Sequence, residues 1–226
     1  MGFSRGPKIV TDDLVLYLDA ANRKSYPGTG TSWSDLSGNG LDGTIANSPT
    51  FNSSLGTFEF DGVDQYVNLG DVLDFEDSLT HEVWFMRSSN ATTNLRLTSK
   101  GAGSTGTSNQ GFGFFGSNTS INWSTNIGGT RYTISTSISI DTWYCVTGTV
   151  DQPGTTQKIY LNGEEKNSTT VVAGSLSSAQ SFSVGSYQNT SLYWEGKIAL
   201  VRTYNKALSA QEVLQNYNAL KGRFGL

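Results

Sequence analysis

Three carboxylates crowd into one short run, Glu59-Phe60-Asp61-Gly62-Val63-Asp64. On a strand, side chains alternate, so Glu59 and Asp61 share a face, and a bulge could bring Asp64 beside them. Two carboxyl groups about 5–5.5 Å apart, one with a raised pKa, would hydrolyse a glycosidic bond with retention. Here the acid would be an Asp rather than a Glu, and Gly62-Val63 has the character of a turn, which weakens the hydrolytic reading. The same groups are hard oxygen donors, so Asp61 and Asp64, with Asn68 in reach, are candidate Ca²⁺ ligands. A second oxygen-rich run, Asp35-Leu36-Ser37-Gly38-Asn39-Gly40, offers Asp35 and Asn39 for the same purpose. It begins like an EF-hand loop, but Ala46 stands where the twelfth-position Glu belongs. The competing account is a turn held by side-chain to backbone hydrogen bonds, with Gly38 and Gly40 supplying positive φ. Calcium is the one cofactor these residues point to, and nothing requires it.

Other chemistries are closed off by arithmetic. The chain has one His and one Cys, so a zinc site of His and Cys ligands is excluded. His81 alternates with Leu79, Val83 and Phe85, which places it in a sheet rather than in a triad, and no nucleophile elbow is present. Cys145, in Trp143-Tyr144-Cys145-Val146, has the setting of a small core residue, and no intrachain disulfide can form. Aromatic rings are the remaining resource, since sugar faces stack on exposed Trp and Tyr. Trp33, Trp123, Tyr132, Tyr187 and Trp194 sit among Asn, Ser, Thr and Gly and are the candidate carbohydrate-binding rings. Trp84 and Trp143 sit in apolar strands and belong to the core.

These groups must be positioned by strands. Hydrophobic residues make up 36% of the 226-residue chain and charged residues 15%, while Gly alone contributes 26 residues, a composition of short strands and tight turns. Leu14–Leu18 is a first strand, apolar on both sides and therefore central. Phe58–Asp61, Tyr66–Leu69, His81–Met86, Gly111–Phe115, Tyr132–Ile134, Trp143–Val150, Ser181–Gly185 and Lys197–Tyr204 follow. Asn162-Gly163, between Gln157–Leu161 and Glu164–Lys166, supplies the two positive-φ positions of a type I′ hairpin. Ser209-Ala210-Gln211-Glu212 is a capping box, and Val213, Leu214, Tyr217 and Leu220 form an apolar stripe that docks one helix on the sandwich. The chain therefore divides into an N-terminal arm (1–13), a β-sandwich (14–208) and a C-terminal helix and tail packed on the sandwich (209–226), with the short end Lys221–Leu226 expected to be the exposed part. Net charge is −4 and the 15 Lys and Arg are scattered, so a nucleic-acid footprint is not expected. No apolar stretch is long enough to insert in a membrane, and the first eight residues lack the apolar segment of a signal peptide.

Phe60-Asp61-Gly62-Val63-Asp64-Gln65-Tyr66-Val67, Glu82-Val83-Trp84-Phe85, Trp143-Tyr144, Ile159-Tyr160-Leu161-Asn162-Gly163 and Gly196–Ser209 come in an order that resembles the concanavalin A-like lectin/glucanase superfamily, of the laminin-G and pentraxin type. The resemblance implies an all-β fold, a jelly roll of two antiparallel sheets with one short C-terminal helix. It also implies calcium near Asp61 and Asp64. The Glu59–Asp64 run resembles the paired-carboxylate strand of laminarinase-type glycoside hydrolases, which share the fold. A narrower resemblance, carried by Leu14–Asn22, Ser25-Tyr26-Pro27-Gly28, Asp35–Gly40 and Asn216–Phe224, is to lectin-like domains of tailed-phage virion structural proteins. It implies a non-enzymatic virion surface protein, decorating a capsid or forming part of a tail or fibre adhesin. Its expected partners are other virion proteins and host-surface glycans, and a homo-oligomer fits the same role. The expected location is the virion, after synthesis in the host cytoplasm. A free carbohydrate-binding module is the leading alternative and a glycoside hydrolase the more distant one. The arm at 1–13, with Gly2, Gly6 and Pro7 against helix, is expected to dock on another subunit or the capsid.

Overall fold

The computed structural model describes residues 7–88, 95–101 and 111–226. In chain order the strands are β1 (Leu14–Asp19), β2 (Ser32–Trp33), β3 (Gly43–Ala46), β4 (Thr50–Asn52), β5 (Thr57–Asp61), β6 (Tyr66–Asn68), β7 (Ser78–Arg87), β8 (Leu95–Arg96) and β9 (Thr98–Ser99). They continue as β10 (Gly111–Gly116), β11 (Ser120–Ile127), β12 (Thr130–Ser137), β13 (Trp143–Asp151), β14 (Thr156–Leu161), β15 (Glu164–Thr170), β16 (Ser183–Val184) and β17 (Glu195–Tyr204). Helix α1 (Ala210–Leu220) and a 3₁₀ turn (Lys221–Phe224) close the chain.

Two antiparallel layers result. The back sheet runs β15-β14-β13-β7-β17-β5-β4, and β1 occupies the rest of the β17 edge that β5 leaves open. The front layer consists of β2-β3-β6-β16-β9 and β12-β11-β10-β8, joined where Thr98–Lys100 pairs with β16 on one side and β10 on the other. The core between them is aromatic: Phe58, Phe60, Phe85, Phe112, Phe114, Trp123 and Phe182 are buried in one cluster with the aliphatic side chains of both layers. Gly148 on β13 makes room for Trp123, since a Cβ there would lie 2.3 Å from the indole. The Asn162-Gly163 turn forms as the sequence predicts, with φ of 54° and 82° and Leu161 paired to Glu164.

The helix caps as expected. Ser209 Oγ accepts from the Glu212 amide while the Glu212 carboxylate accepts from the Ser209 amide. Its inward face is set by Val213, Asn216, Tyr217 and Leu220, whereas Leu214, predicted to dock, is 44% exposed. The tail is partly docked, with Gly222, Gly225 and Leu226 exposed and Arg223 and Phe224 turned inward. The 3₁₀ turn carries Phe224 onto Trp84 (4.3 Å between ring centroids) and Trp143 (4.7 Å), and Tyr217 stacks on the same Trp84 at 5.8 Å. Arg223 pairs with Asp19 at 2.7 Å.

The arm departs further from expectation. Residues 1–6 lie outside the described residues, but Val10 is buried against Tyr160, Tyr204, Leu208 and Val213. The Val10 amide donates to Asn216 Oδ1 (2.8 Å), the Tyr204 hydroxyl donates to the Val10 carbonyl (3.1 Å), and Gln215 reaches the Lys8 carbonyl (2.7 Å). Residues 8–13 therefore dock on their own chain. Asn216 is the junction, because its amide also donates to Glu82 and Tyr204. Beneath it the fully buried Arg202 and Glu82 form an ion pair.

β1 is not the central strand that its apolar sequence predicts. It pairs only with β17, and its free edge is covered by the Asp35 loop. The Tyr17 amide donates to Asp35 Oδ1 (2.9 Å), the Leu36 amide to the Tyr17 carbonyl (2.8 Å), and Ser37 and Asn39 both donate to the Val15 carbonyl. Side chains thus satisfy the edge groups of a strand that would otherwise invite pairing.

Candidate functional site

Three of the five candidate rings are removed from the surface. Trp33, Trp123 and Trp194 are all fully buried, Trp33 against Phe58, Trp123 against Phe114, and Trp194 against Phe85 under the Arg87 guanidinium. Polar neighbours in sequence misled the reading. In a strand, alternate residues face opposite sides, so Trp123 points inward with Ile121 and Ile127 while Asn122, Ser124 and Asn126 point outward. Tyr132 also turns inward, half-buried against the core. Tyr187 alone stands on the outer face, half-buried in the loop after β16.

That outer face is ordered. Register places Arg96, Phe115, Asn122 and Ser135 in one row across β8, β10, β11 and β12. The next rows are Gly113, Ser124 and Thr133, then Gly111, Asn126 and Arg131. The Arg96 guanidinium lies 4.5 Å from the Phe115 ring centroid and 5.1 Å from that of Tyr187. Arg131 approaches the same Phe115 at 5.3 Å, its Nε donating to Ser124 Oγ (3.0 Å), which in turn meets Thr133 Oγ1 (3.0 Å). Burial, with the like charge of Arg131 beside it, lowers the Arg96 pKa to about 10. These four strands contain no Asp or Glu. The face therefore gathers two guanidinium groups, aromatic rings and amides and hydroxyls without a carboxylate, with Thr133 and Ser135 exposed, Asn122 and Arg131 partly so, and Arg96, Phe115, Ser124 and Asn126 buried. Sequence reasoning missed it because the basic residues looked scattered. The legible signal was the complement: no acid occurs from Val83 to Ile140, in a chain that holds 19.

The acidic candidates are engaged elsewhere. Asp35 accepts from the Tyr17 and Ser37 amides (2.9 Å each), Ser37 Oγ (2.6 Å) and the Leu41 amide (3.3 Å), so both its oxygens are occupied by the turn. Asn39 turns its amide nitrogen to the Val15 carbonyl (3.1 Å). This loop does not fit a calcium cage, which needs six to eight free oxygens. At the other run, Asp61 Oδ1 accepts from the Val63 amide (2.9 Å) and Asp64 is exposed. Among the described residues no three His, Cys, Asp or Glu groups converge to hold a metal. Glu59 and Asp61 do share one face, but Glu59 is ion-paired to Lys197 (3.2 Å), and its pairing partners in β17 and β4 are Lys197 and Thr50 rather than a second acid.

His81 is fully buried, with ring nitrogens 3.0 Å from the hydroxyls of Thr203 and Thr98 and its plane near that of Phe114. Burial lowers its pKa to about 3, so it is a neutral core residue. Cys145 is buried under the helix, where burial and the nearby Glu82 raise its pKa and keep it a thiol.

The backbone is similar to several toxin binding domains of known structure. The botulinum neurotoxin serotype D binding domain superposes with a TM-score of 0.71 at 15% identity, covering 92% of this chain and 52% of that one. The binding domain of Paraclostridial Mosquitocidal Protein 1 gives 0.68 at 17%, with 92% and 52% covered. Botulinum neurotoxin type C, whose cell entry depends upon interaction with two ganglioside molecules, gives 0.67 at 14%, with 93% and 52% covered. The chain spans about half the length of these proteins, and at such identity the likeness is one of fold. No curated protein matches the sequence. A laminin G model, described as the concanavalin A-like lectin/glucanases superfamily, matches residues 61–214, most of the sandwich and the start of the helix, and on that match the chain belongs to this superfamily.

Proposed function

We propose that this chain is a non-catalytic carbohydrate-binding domain that uses the outer face of β8, β10, β11 and β12. The observation that carries the reading is the acid-free lattice itself, in which Arg96, Arg131 and Tyr187 border Asn122, Thr133 and Ser135. Amides and hydroxyls donate and accept as sugar hydroxyls do, and aromatic rings cover the apolar faces of pyranose rings. The toxin neighbours support the reading only as binding domains of the same fold. Hydrolysis is disfavoured because Glu59 is paired to a lysine and Asp61 is committed to a turn. Incubation with laminarin, agarose and carrageenan is expected to release nothing above buffer. Turnover that vanished in Glu59→Gln would refute the non-catalytic reading. The direct test is a glycan array probed with the wild type and with Tyr187→Ala, which is expected to lose binding while remaining folded.

The place we propose for the domain is the surface of a tailed-phage virion, in a capsid decoration or an adhesin. This rests on the motifs Leu14–Asn22, Asp35–Gly40 and Asn216–Phe224. Since residues 8–13 dock on their own chain, contacts to other virion subunits are assigned to other surfaces. Mass spectrometry of purified virions is expected to detect the chain at stoichiometric abundance, and its absence would remove the virion role without touching the glycan reading.

A further inference from the structure

We infer that Arg96 and Arg131 form an oxyanion subsite within this face, which takes the carboxylate or sulfate group of an acidic saccharide. The inference deepens the carbohydrate reading and rests on it. Its starting point is a charge imbalance. Lys100 is buried with Asp71 (2.9 Å) and Asp74 (3.1 Å), Arg202 with Glu82, and Arg223 is closed against Asp19 (2.7 Å). Arg96 is 7% exposed, its guanidinium makes no ion pair or hydrogen bond with any described residue, and its Nε is buried without an acceptor. A guanidinium carries five N–H donors in one plane, and leaving buried charged donors unsatisfied is costly.

Stacking does not remove that cost. Phe115 and Tyr187 lie within cation–π range of the guanidinium, but neither ring supplies an oxygen acceptor for its N–H groups. The rings do something else: they hold the fork in one orientation, which is the condition for bidentate capture of a planar carboxylate or a sulfate edge. Arg131 is held toward Phe115 by Ser124, and burial together with the like charge of Arg131 depresses the Arg96 pKa. An oxyanion beside them would satisfy the Arg96 donors and offset the two like charges together. No acid on β8, β10, β11 or β12 competes for the position. The surrounding Asn122 and Gln188 amides, with Thr133 and Ser135, are suited to the hydroxyls of the sugar that carries the anion.

The test is an array of matched neutral, carboxylated and sulfated oligosaccharides, read with wild type, Arg131→Gln and Arg96→Lys at two salt concentrations. Arg131 is partly exposed, so its variant is expected to fold even where Arg96→Lys fails to. Acidic members should bind about tenfold or more tightly than their neutral counterparts, and both variants should abolish that preference. Raising the salt should narrow the same gap. Equal binding of neutral and acidic members, unchanged in Arg131→Gln, would overturn the subsite and leave the carbohydrate reading standing. Failure of every saccharide to bind would overturn both.

Discussion

Acid should destabilise this protein well before its carboxylates titrate, because its one histidine is buried neutral. His81 lies in the core between two threonine hydroxyls, with Phe112, Phe114 and Phe182 around it and no anion among its ring contacts. Its pKa is about 3 when folded and about 6.5 when unfolded. The unfolded chain therefore binds a proton below about pH 6.5 that the folded chain refuses until about pH 3. Stability is complete above that upper limit and falls with decreasing pH at about 1.4 kcal/mol per unit. Integrated from pH 7 to pH 5, the loss is about 2 kcal/mol. The carboxylates act lower down. Asp74 is held below the usual range because the Ser178 amide and Lys100 outweigh its burial, and Glu212 because Ser209 and Lys206 do the same. Their stabilisation is lost as pH falls below about 4.5, outside the window. Urea unfolding at pH 7 and pH 5 measures the difference, and His81→Gln, whose amide can still meet both threonines, is the control. Wild type should lose about 2 kcal/mol and the variant almost none. Equal losses in both, or no loss in wild type, would refute the assignment of His81 as a neutral core residue.

Three further outcomes follow from the packing. Phe224→Ala removes a half-buried ring stacked on Trp84 and Trp143 and should cost about 2–3 kcal/mol in chemical unfolding, with an altered Trp fluorescence spectrum. Arg202→Met strands Glu82 in the core and should cost about 3–5 kcal/mol, and Glu82→Leu with Arg202→Met should recover most of it. Asp35→Ala leaves the Tyr17, Ser37 and Leu41 amides without their acceptor and should cost about 1–3 kcal/mol. Its melting temperature, like that of wild type, should be the same in millimolar calcium and in chelator. A calcium-dependent rise abolished by Asp61→Asn with Asp64→Asn would instead locate an ion at that turn.

Local chemistry determined much of this molecule. Asn162-Gly163 turns because two adjacent positive-φ residues match the strand twist, and Ser209 with Glu212 starts a helix because the two groups cap each other within four residues. The sandwich class followed from composition and alternation, and His81 was placed in a sheet by its apolar neighbours. What failed were assignments that depend on which face a strand presents, or on what covers an edge. The alternation Ile121, Trp123, Thr125, Ile127 was the period-two signal for β11, yet its polar partners made Trp123 look like a surface ring. β1 is apolar enough for a central strand, but it became an edge strand closed by Asp35, Ser37 and Asn39 from a loop about twenty residues on. Asp35 and Asn39 of that loop read as candidate metal ligands because side-chain oxygens look alike in sequence, and only the structure shows which amides and carbonyls they meet. Arg96, Phe115, Arg131 and Tyr187 are distant in sequence and meet only through the register of β8, β10, β11 and β12 and the return of the loop after β16. Strand register is a long-range pairing, decided by how the whole core packs, so the one face that carries this constellation could be assembled only by the tertiary structure.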